Sequence, residues 1–281
     1  RSHDQVDAAL LEQEQVNVMQ ATPSTWRLLL GSGWRATPGF RGLCGGEAMP
    51  RDLAAQLLSA GVELWNMYGP TETTVWSTCF RIEDADAPIL IGRPIANTSC
   101  YVLDHYNHPM PSGIPGELYI GGDGVTLGYL GRDDLTRERF VPNPWGTGLL
   151  YRTGDQVRFK SDGQIEYLNR IDNQVKVRGF RIELGEIEAV LARHPSVAEV
   201  AVLAREYSAV DKRLVAYVRL APEKRLSSTE LRRYLRDYLP DYMIPQMLVE
   251  VDAMPLTPNG KIDRKALPDP LKHSRSQQQV T

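Results

Sequence analysis

Lys261 stands directly behind a Pro-Asn-Gly turn in PLTPNGKIDR, residues 255–264. Pro258 presets φ and Asn259-Gly260 tolerates positive φ, so the turn mounts a flexible cation firmly at a loop tip. A surface lysine needs no such mounting, although an ordinary turn with a solvated lysine uses the same residues. A second group lies in NMYGPTETT, residues 66–74, where a strand ends, a Gly-Pro turn follows, and hydroxyls gather beside one carboxylate. Backbone N–H groups and threonine hydroxyls at such a turn suit a phosphate. Glu72 beside them suits Mg²⁺, which prefers oxygen ligands and keeps waters. Tyr68 offers a flat apolar face for a base; a plain capped turn is the alternative. In YRTGD, residues 151–155, Asp155 follows a glycine turn. An exposed, fixed carboxylate there suits a pair of ribose hydroxyls, and a hairpin corner is the alternative. NRIDNQVKVRGFRIELGEIE concentrates Arg170, Asp172, Lys176, Arg178 and Arg181; a solvated strand face explains these cations equally well.

Composition narrows the classes. The chain has 281 residues, 42% hydrophobic, which allows two domains with real cores. A net charge of -3, from 32 basic and 35 acidic residues, argues against a dedicated nucleic-acid binder. Cys44, Cys79 and Cys100 form no CxxC, which reads as reduced, cytosolic and non-metal. Among the five histidines, His105 and His108 sit in a polar, Pro-bounded turn and form no convincing ligand set. No apolar run approaches the ~18 residues of a membrane span, so no membrane partner is expected. RSHDQVDAALLEQEQ lacks both an apolar signal core and an initiator Met, so the chain is expected to be a piece of something longer.

The elements that must position these residues fall into three textures. Residues 1–80 alternate helix and strand: a helix over 6–15, a strand in VNVMQATP, a helix in STWRLLL with Ser24 as N-cap, a strand in FRGLCGGEAMP, a helix in RDLAAQLLSAG closed by Gly61, and a strand in VELWNMYG. This predicts an α/β unit with a largely buried sheet. Residues 81–171 are β-rich, with Asp162-Gly163 marking a hairpin. Residues 172–268 read as a compact βαββα-like module. In it Val175 and Val177 share one strand face and Lys176 and Arg178 the other. Leu184, Ile187, Val190 and Leu191 form one helix stripe; Ser227 and Glu230 make a capping box before a second helix with Leu231, Tyr234, Leu235, Tyr238 and Leu239 on its apolar face. Residues 269–281 read as a disordered polar tail. Asp172 falls where the β-rich part meets the last module, the place a hinge residue would occupy.

Taken in order, YGPTE, GELYIGGDGVTLGYL, YRTGD, RIDNQVKVRGFRIELGEIE, LPDYMIP and NGKIDR closely resemble the successive core motifs of nonribosomal peptide synthetase adenylation domains, in the adenylate-forming superfamily. The resemblance runs from about Val16 to Pro268. It implies the later part of the large subdomain, an α/β sheet unit plus a small β-barrel, followed by a mobile C-terminal lid. It implies ATP- and Mg²⁺-dependent activation of an amino acid as aminoacyl-adenylate, then transfer to the phosphopantetheine thiol of a peptidyl carrier protein, in the cytoplasm and in secondary metabolism such as antibiotic or siderophore synthesis. By resemblance, Asn66 bonds the adenine amino group, Tyr68 stacks on the ring, and Gly46 and Glu47 lie against it. Gly69 is among the ATP-binding residues, Thr71 contacts the α-phosphate, Glu72 binds Mg²⁺, and Asp155 holds the ribose with Arg170 nearby. Lys261 bridges the substrate carboxylate and the α-phosphate. Asp172 is the hinge, and Lys176 and Arg178 serve the thioester step.

Asn169 replaces the glycine usual before Arg-Ile-Asp, a change expected to matter little. The family's Ser/Thr/Gly-rich phosphate loop and the aspartate for the substrate amino group are absent, since both lie upstream of this chain's first residue in the family. The upstream half is therefore an expected partner, a small accessory protein a further one, and the isolated piece is expected to be nearly inactive. The side-chain pocket residues present by resemblance are Gln20, Leu43, Gly45, Met67, Val75 and Trp76, which point to a small or medium side chain with a polar group, such as threonine. An acyl- or aryl-CoA ligase and a non-catalytic fragment that binds a carrier or accessory protein are the other readings.

Overall fold

Short apolar runs punctuated by glycine and proline become alternating strands and helices at the start of the chain. The computed structural model describes residues 8–172, 174–177, 180–208, 211–257, 260 and 262–270. The chain divides after Asp172 into two units. After a short helix α1 (Ala8–Gln13), the first unit lays down parallel strands β1 (Val18–Ala21), β2 (Arg41–Gly45) and β3 (Glu63–Tyr68), linked by helices α2 (Pro23–Gly31) and α3 (Arg51–Ser59). Antiparallel β4 (Thr78–Ile82) and β5 (Arg93–Pro94) complete the sheet in the order β1-β2-β3-β4-β5. Trp26, Leu29, Phe40, Leu53, Leu57 and Leu64 form its core. Trp34 and Phe40 meet edge-on at 4.9 Å, a geometry worth about 0.5–1.5 kcal/mol beyond area burial.

The cap of α2 differs from expectation. Thr22, not Ser24, is the N-cap, with its Oγ1 accepting from Thr25 N at 3.4 Å. Pro23 takes the first helical position, where its missing N–H leaves nothing unsatisfied. Parallel registration puts Gln20 beside Leu43, Leu43 beside Trp65, and Gly45 beside Met67. The carboxyl ends of β1, β2 and β3 therefore share one edge, where ligands of such sheets bind.

The rest of the first unit is antiparallel. Strands β6 (Thr98–Leu103), β7 (Gly116–Gly122), β8 (Phe140–Pro142), β9 (Leu149–Phe159) and β10 (Ile165–Arg170) pair in the order β10-β9-β7-β6, with β8 on β9 and helix α4 (Asp133–Arg139) before β8. Leu118, Ile120, Val157 and Ile165 share a core cluster with Tyr68 and Ile91 from the first sheet's chain. Asp162-Gly163 turns β9 into β10 as the sequence predicts, Gly163 having φ +81°.

The second unit opens with a hairpin, β11 (Gln174–Val177) and β12 (Phe180–Glu183), then α5 (Leu184–Ala192), β13 (Val197–Ser208), β14 (Asp211–Leu220), α6 (Ser228–Arg236) and β15 (Met247–Glu250). The module thus gains a strand at each end relative to βαββα. Period-two alternation splits its sheet, ordered β13-β14-β15, into two buried faces. Val202, Leu214, Ala216 and Val218 cluster with Leu184, Ile187, Val190, Leu191, Leu231 and Leu235 of the helices. Ala201, Val215, Tyr217 and Val249 cluster with Val251, Met254 and Leu267 of the final segment. Tyr238 lies past the end of α6 and is 59% exposed, off the buried face expected for it.

The Ser227–Glu230 capping box is complete: Glu230 N donates to Ser227 Oγ at 3.2 Å and Ser227 N to Glu230 Oε2 at 2.9 Å. Ser227→Ala should destabilise the protein by about 1 kcal/mol. A urea-unfolding midpoint identical to wild type would show that the cap contributes nothing.

Candidate functional site

The strongest local feature is a bulge in β9. Glu117 pairs with Gln156 and Tyr119 with Arg152, so Thr153, Gly154 and Asp155 together face only Leu118. YRTGD is therefore a mid-strand bulge, not a hairpin corner. Side chains satisfy its backbone. Thr153 Oγ1 donates to Leu118 O at 2.8 Å and accepts from Asp155 N at 3.0 Å. Gly154 N donates to Glu117 Oε1 at 3.0 Å, and that carboxylate also takes Arg152 Nε at 3.0 Å on each oxygen. Gly154 has φ +74°, and a Cβ there would lie 2.5 Å from Asp172 Oδ2 and 2.9 Å from Arg170 Nη2. Conformation and space both demand glycine.

The bulge delivers Asp155, which is 5% exposed rather than open to solvent as the sequence reading expected. Its Oδ2 accepts from Tyr68 Oη at 2.5 Å and its Oδ1 from Arg170 Nη1 at 2.8 Å. Arg170 also forks onto Asp172, with Nε to Oδ1 at 2.6 Å and Nη2 to Oδ2 at 2.7 Å, and Nη2 reaches Thr153 O at 3.0 Å. Arg139 Nη1 lies 3.6 Å from Asp172 Oδ2. Burial alone would lower the Arg170 pKa, but its bond to Asp172 and the charges of Asp155 and Asp172 overturn that and raise it. Burial, then the Asp155 charge, pushes the Tyr68 phenol well above its usual range. The Tyr68 ring is buried too, so its offered face is small in this arrangement.

Tyr68 ends β3, and the turn after it is strained. Thr71–Thr73 form one 3₁₀ turn, then Thr74 and Val75 adopt φ +60° and +69°. Positive φ at a β-branched residue is a marked outlier, and such strain gathers at functional sites. Thr73 Oγ1 and Ser77 Oγ, 2.6 Å apart, lock the turn, and Thr71 is left exposed. Glu72 Oε1 accepts from Tyr129 Oη at 2.6 Å and Tyr151 Oη at 2.8 Å. One strand in, Asn66 is buried and its Nδ2 donates to Leu90 O at 2.7 Å. Gly46, with φ +85°, and half-buried Glu47 follow the end of β2.

The residues expected around the substrate side chain are neighbours at the same edge. Trp76 packs so closely on Gly45 that any Cβ there would strike its ring, and its Nε1 donates to Gln20 Oε1 at 3.3 Å. Met67 O borders the same point, Leu43 is half-buried on β2, and Val75 is 52% exposed. Trp76 is half-buried, so it is not simply core.

In the second unit Lys176 pairs across the hairpin with Arg181 and is half-buried. Lys261, Arg178 and residues 271–281 of the expected tail 269–281 lie outside the described residues; of the two described residues at its start, Asp269 is exposed and Pro270 buried. The segment flanking Lys261 is clamped: Leu256 bridges Ile262, and Asp263 N donates to Pro255 O at 2.7 Å. Arg264 reaches Val202 O and Glu188 Oε1, each at 2.7 Å.

Sequence reasoning missed Tyr129, Tyr151 and Arg139. The first two lie inside the quoted LGYL and YRTGD stretches, but nothing local ties them to Glu72. Among the described residues no group of three or more His, Cys, Asp or Glu is arranged to hold a metal, and no helix is long and apolar enough to cross a membrane.

The AMP-binding enzyme family model matches residues 1–130, and the AMP-binding enzyme C-terminal domain model matches residues 186–261. A dimodular nonribosomal peptide synthase of Bacillus subtilis (strain 168) is 50% identical over 266 residues, 94% of this chain and 11% of that protein. A solved four-domain nonribosomal peptide synthetase, bound to AMP and glycine, is 46% identical with a TM-score of 0.56, over 94% of this chain and 20% of that one. A holo synthetase with adenylation and PCP domains, bound to a vinylsulfonamide inhibitor, is 29% identical with a TM-score of 0.79, over 94% and 47%. The chain thus spans 11% to 47% of the length of these three relatives.

The raised Tyr68 pKa sets a pH dependence. An unfolded phenol ionises near pH 10, whereas the folded one keeps its proton. The stability this gives is fully present below about pH 10 and is lost as pH rises further. Unfolding free energy measured from pH 8 to 11 should fall less steeply above pH 10 in Tyr68→Phe than in wild type. Equal slopes would show that the buried phenol is not responsible.

Proposed function

The chain belongs to the family of AMP-binding enzymes, and from that premise we propose that it serves ATP-dependent activation of an amino acid as aminoacyl-adenylate, followed by transfer to the phosphopantetheine thiol of a carrier protein. The observation that carries this reading is the convergence, at the carboxyl edge of a parallel sheet, of Asn66, the strained turn 70–75 and the buried Asp155. The 50% identity to a nonribosomal peptide synthase and the AMP and glycine in a relative 46% identical support it. A carrier domain accompanies the adenylation domain in another relative, which supports the thioester step.

In the first step a carboxylate oxygen attacks the α-phosphorus, the bond to the β-phosphate oxygen breaks, and pyrophosphate leaves. In the second the carrier's thiol, losing its proton, attacks the acyl carbon and AMP leaves with the electron pair. Asn66 is held through its Nδ2, and its Oδ1 is the acceptor that an adenine amino group requires. Gly46 and Glu47 border the base, and Tyr68 supports it through its bond to Asp155. A carboxylate has about four lone-pair sites; Tyr68 and Arg170 occupy two on Asp155, and the others take ribose hydroxyls. Gly69 and exposed Thr71 lie at the α-phosphate.

Glu72, which belongs to no group of three or more His, Cys, Asp or Glu among the described residues, fits a cation that brings waters and phosphate oxygens as its other ligands, as Mg²⁺ does. Bound there, Mg²⁺ would neutralise phosphate charge during transfer. Gln20, Leu43, Gly45, Met67, Val75 and Trp76 border the amino-acid side chain. The Trp76 indole over Gly45 limits the volume, and the Gln20 amide favours a small polar side chain such as threonine. Asp172, at the unit boundary, is the hinge, and Lys176 and Arg178 act in the thioester step. ATP dependence suits the cytoplasm.

Lys261 places its ammonium between the substrate carboxylate and the α-phosphate, where charge builds as phosphorus becomes five-coordinate. The clamps at Leu256–Ile262 and Arg264–Glu188 supply the rigidity that this asks of its flanks. Lys261→Ala, made in the polypeptide that carries this chain, should slow ATP–pyrophosphate exchange about a hundredfold. Exchange at the wild-type rate would remove Lys261 from the mechanism.

A further inference from the structure

The loop between β7 and α4 follows a path that apolar burial does not explain. Leu127 and Leu130 are 96% and 103% exposed, yet Tyr129 between them turns inward and is half-buried. Polar contacts hold the loop to the turn after β3. Thr126 N donates to Glu72 O at 2.9 Å, and Thr74 Oγ1 to Gly124 O at 2.7 Å. Tyr129 N donates to Thr136 Oγ1 at 2.9 Å, which fixes the loop's other side to α4. The Tyr129 hydroxyl then ends on Glu72 Oε1.

A second hydroxyl arrives from a different element. Tyr151, fully buried on β9, reaches the same Oε1. Phe140 of β8 spaces the two phenols: it pairs with Tyr151 in register, meets its ring at 5.1 Å, and meets Tyr129 edge-on at 5.5 Å. The two hydroxyls are 3.4 Å apart. A phenol has one proton to donate, and a carboxylate only accepts. Both phenols direct that proton at one oxygen of one carboxylate. Turning the carboxylate about its last bond would break two hydrogen bonds, so its plane is held.

We propose that Tyr129 and Tyr151 are positioning residues that orient Glu72 towards the divalent cation accompanying the nucleotide. The proposal rests on the reading of Glu72 as the carboxylate that takes this cation. Partners that orient a ligating side chain govern metal affinity, and their loss costs tenfold to a hundredfold. Two phenols that merely satisfied a half-buried carboxylate would change stability and leave metal affinity alone.

The test uses the polypeptide carrying this chain, with Mn²⁺ as the probe. Free Mn²⁺ is followed by electron paramagnetic resonance in titrations at saturating ATP, for wild type, Tyr129→Phe, Tyr151→Phe and Glu72→Gln. Metal-free ATP affinity and thermal midpoint are measured beside them. The expected result is about a tenfold to a hundredfold weaker Mn²⁺ affinity in each phenylalanine variant, with metal-free ATP affinity unchanged. Tyr129 is the less buried of the two, so Tyr129→Phe alone decides should Tyr151→Phe fail to fold. Unchanged Mn²⁺ affinity in Tyr129→Phe while Glu72→Gln loses it overturns the positioning role and spares the reading of Glu72. Unchanged affinity in Glu72→Gln overturns that reading and the proposal with it. A loss of ATP affinity in Tyr129→Phe that is equal with and without Mn²⁺ also overturns the proposal.

Discussion

One guanidinium organises the candidate site. Arg170 joins Asp155 to Asp172 and caps the carbonyl of Thr153, all within a pocket where its side chain is 12% exposed and that of Asp155 7%. Two carboxylates this close repel each other, and neither is stable out of water without a cation. Removing one partner of such a pair typically destabilises by about 3–5 kcal/mol. The other features follow from it. Gly154 must lack a side chain because Asp172 and Arg170 fill the space above it. The β9 bulge must turn Asp155 inward to meet the guanidinium. Tyr68 must end β3 with its hydroxyl on the same carboxylate. Residues proposed for the base, the ribose and the hinge are thereby mechanically joined.

The second constraint is the strained turn after β3. Two consecutive positive φ angles at Thr74 and Val75 are unfavourable, and the surroundings must over-determine them. They do so through the Thr73–Ser77 hydroxyl pair and through Thr74's bond to Gly124. The result exposes Thr71 and directs Glu72 at two phenols. Groups presented on turns are set by the rigid strand ends beneath them. Here the parallel sheet supplies those ends, and the aromatic cluster of Trp26, Trp34 and Phe40 packs in one core with Leu64 of β3.

Much of the fold is legible because the relevant signals are local. The Leu184–Leu191 stripe, the Ser227–Glu230 box and the Asp162-Gly163 turn each depend on residues within one or two turns of chain, and each appears as read. Thr22 was missed as a cap because Pro23 looks like a terminator, whereas at the first helical position it is a starter. The β9 bulge was missed because a bulge depends on the partner strand's spacing, which YRTGD alone does not reveal. Asp155 was read as exposed for the same reason. The Tyr129–Glu72 and Tyr151–Glu72 contacts span 57 and 79 residues, beyond any periodicity. What pointed to the proposed chemistry was the order of six motifs, a property of the whole chain rather than of any one stretch.

The central claim is that Asp155, held by Arg170 and Tyr68, receives the ribose of ATP. Equilibrium binding of ATP and of its 2′,3′-dideoxy analogue, to wild type and to Asp155→Asn, separates this from a purely structural role. The account expects wild type to bind the dideoxy analogue much more weakly than ATP, and Asp155→Asn to bind the two nearly alike. If the variant still discriminates between them as strongly as wild type does, Asp155 does not hold the ribose.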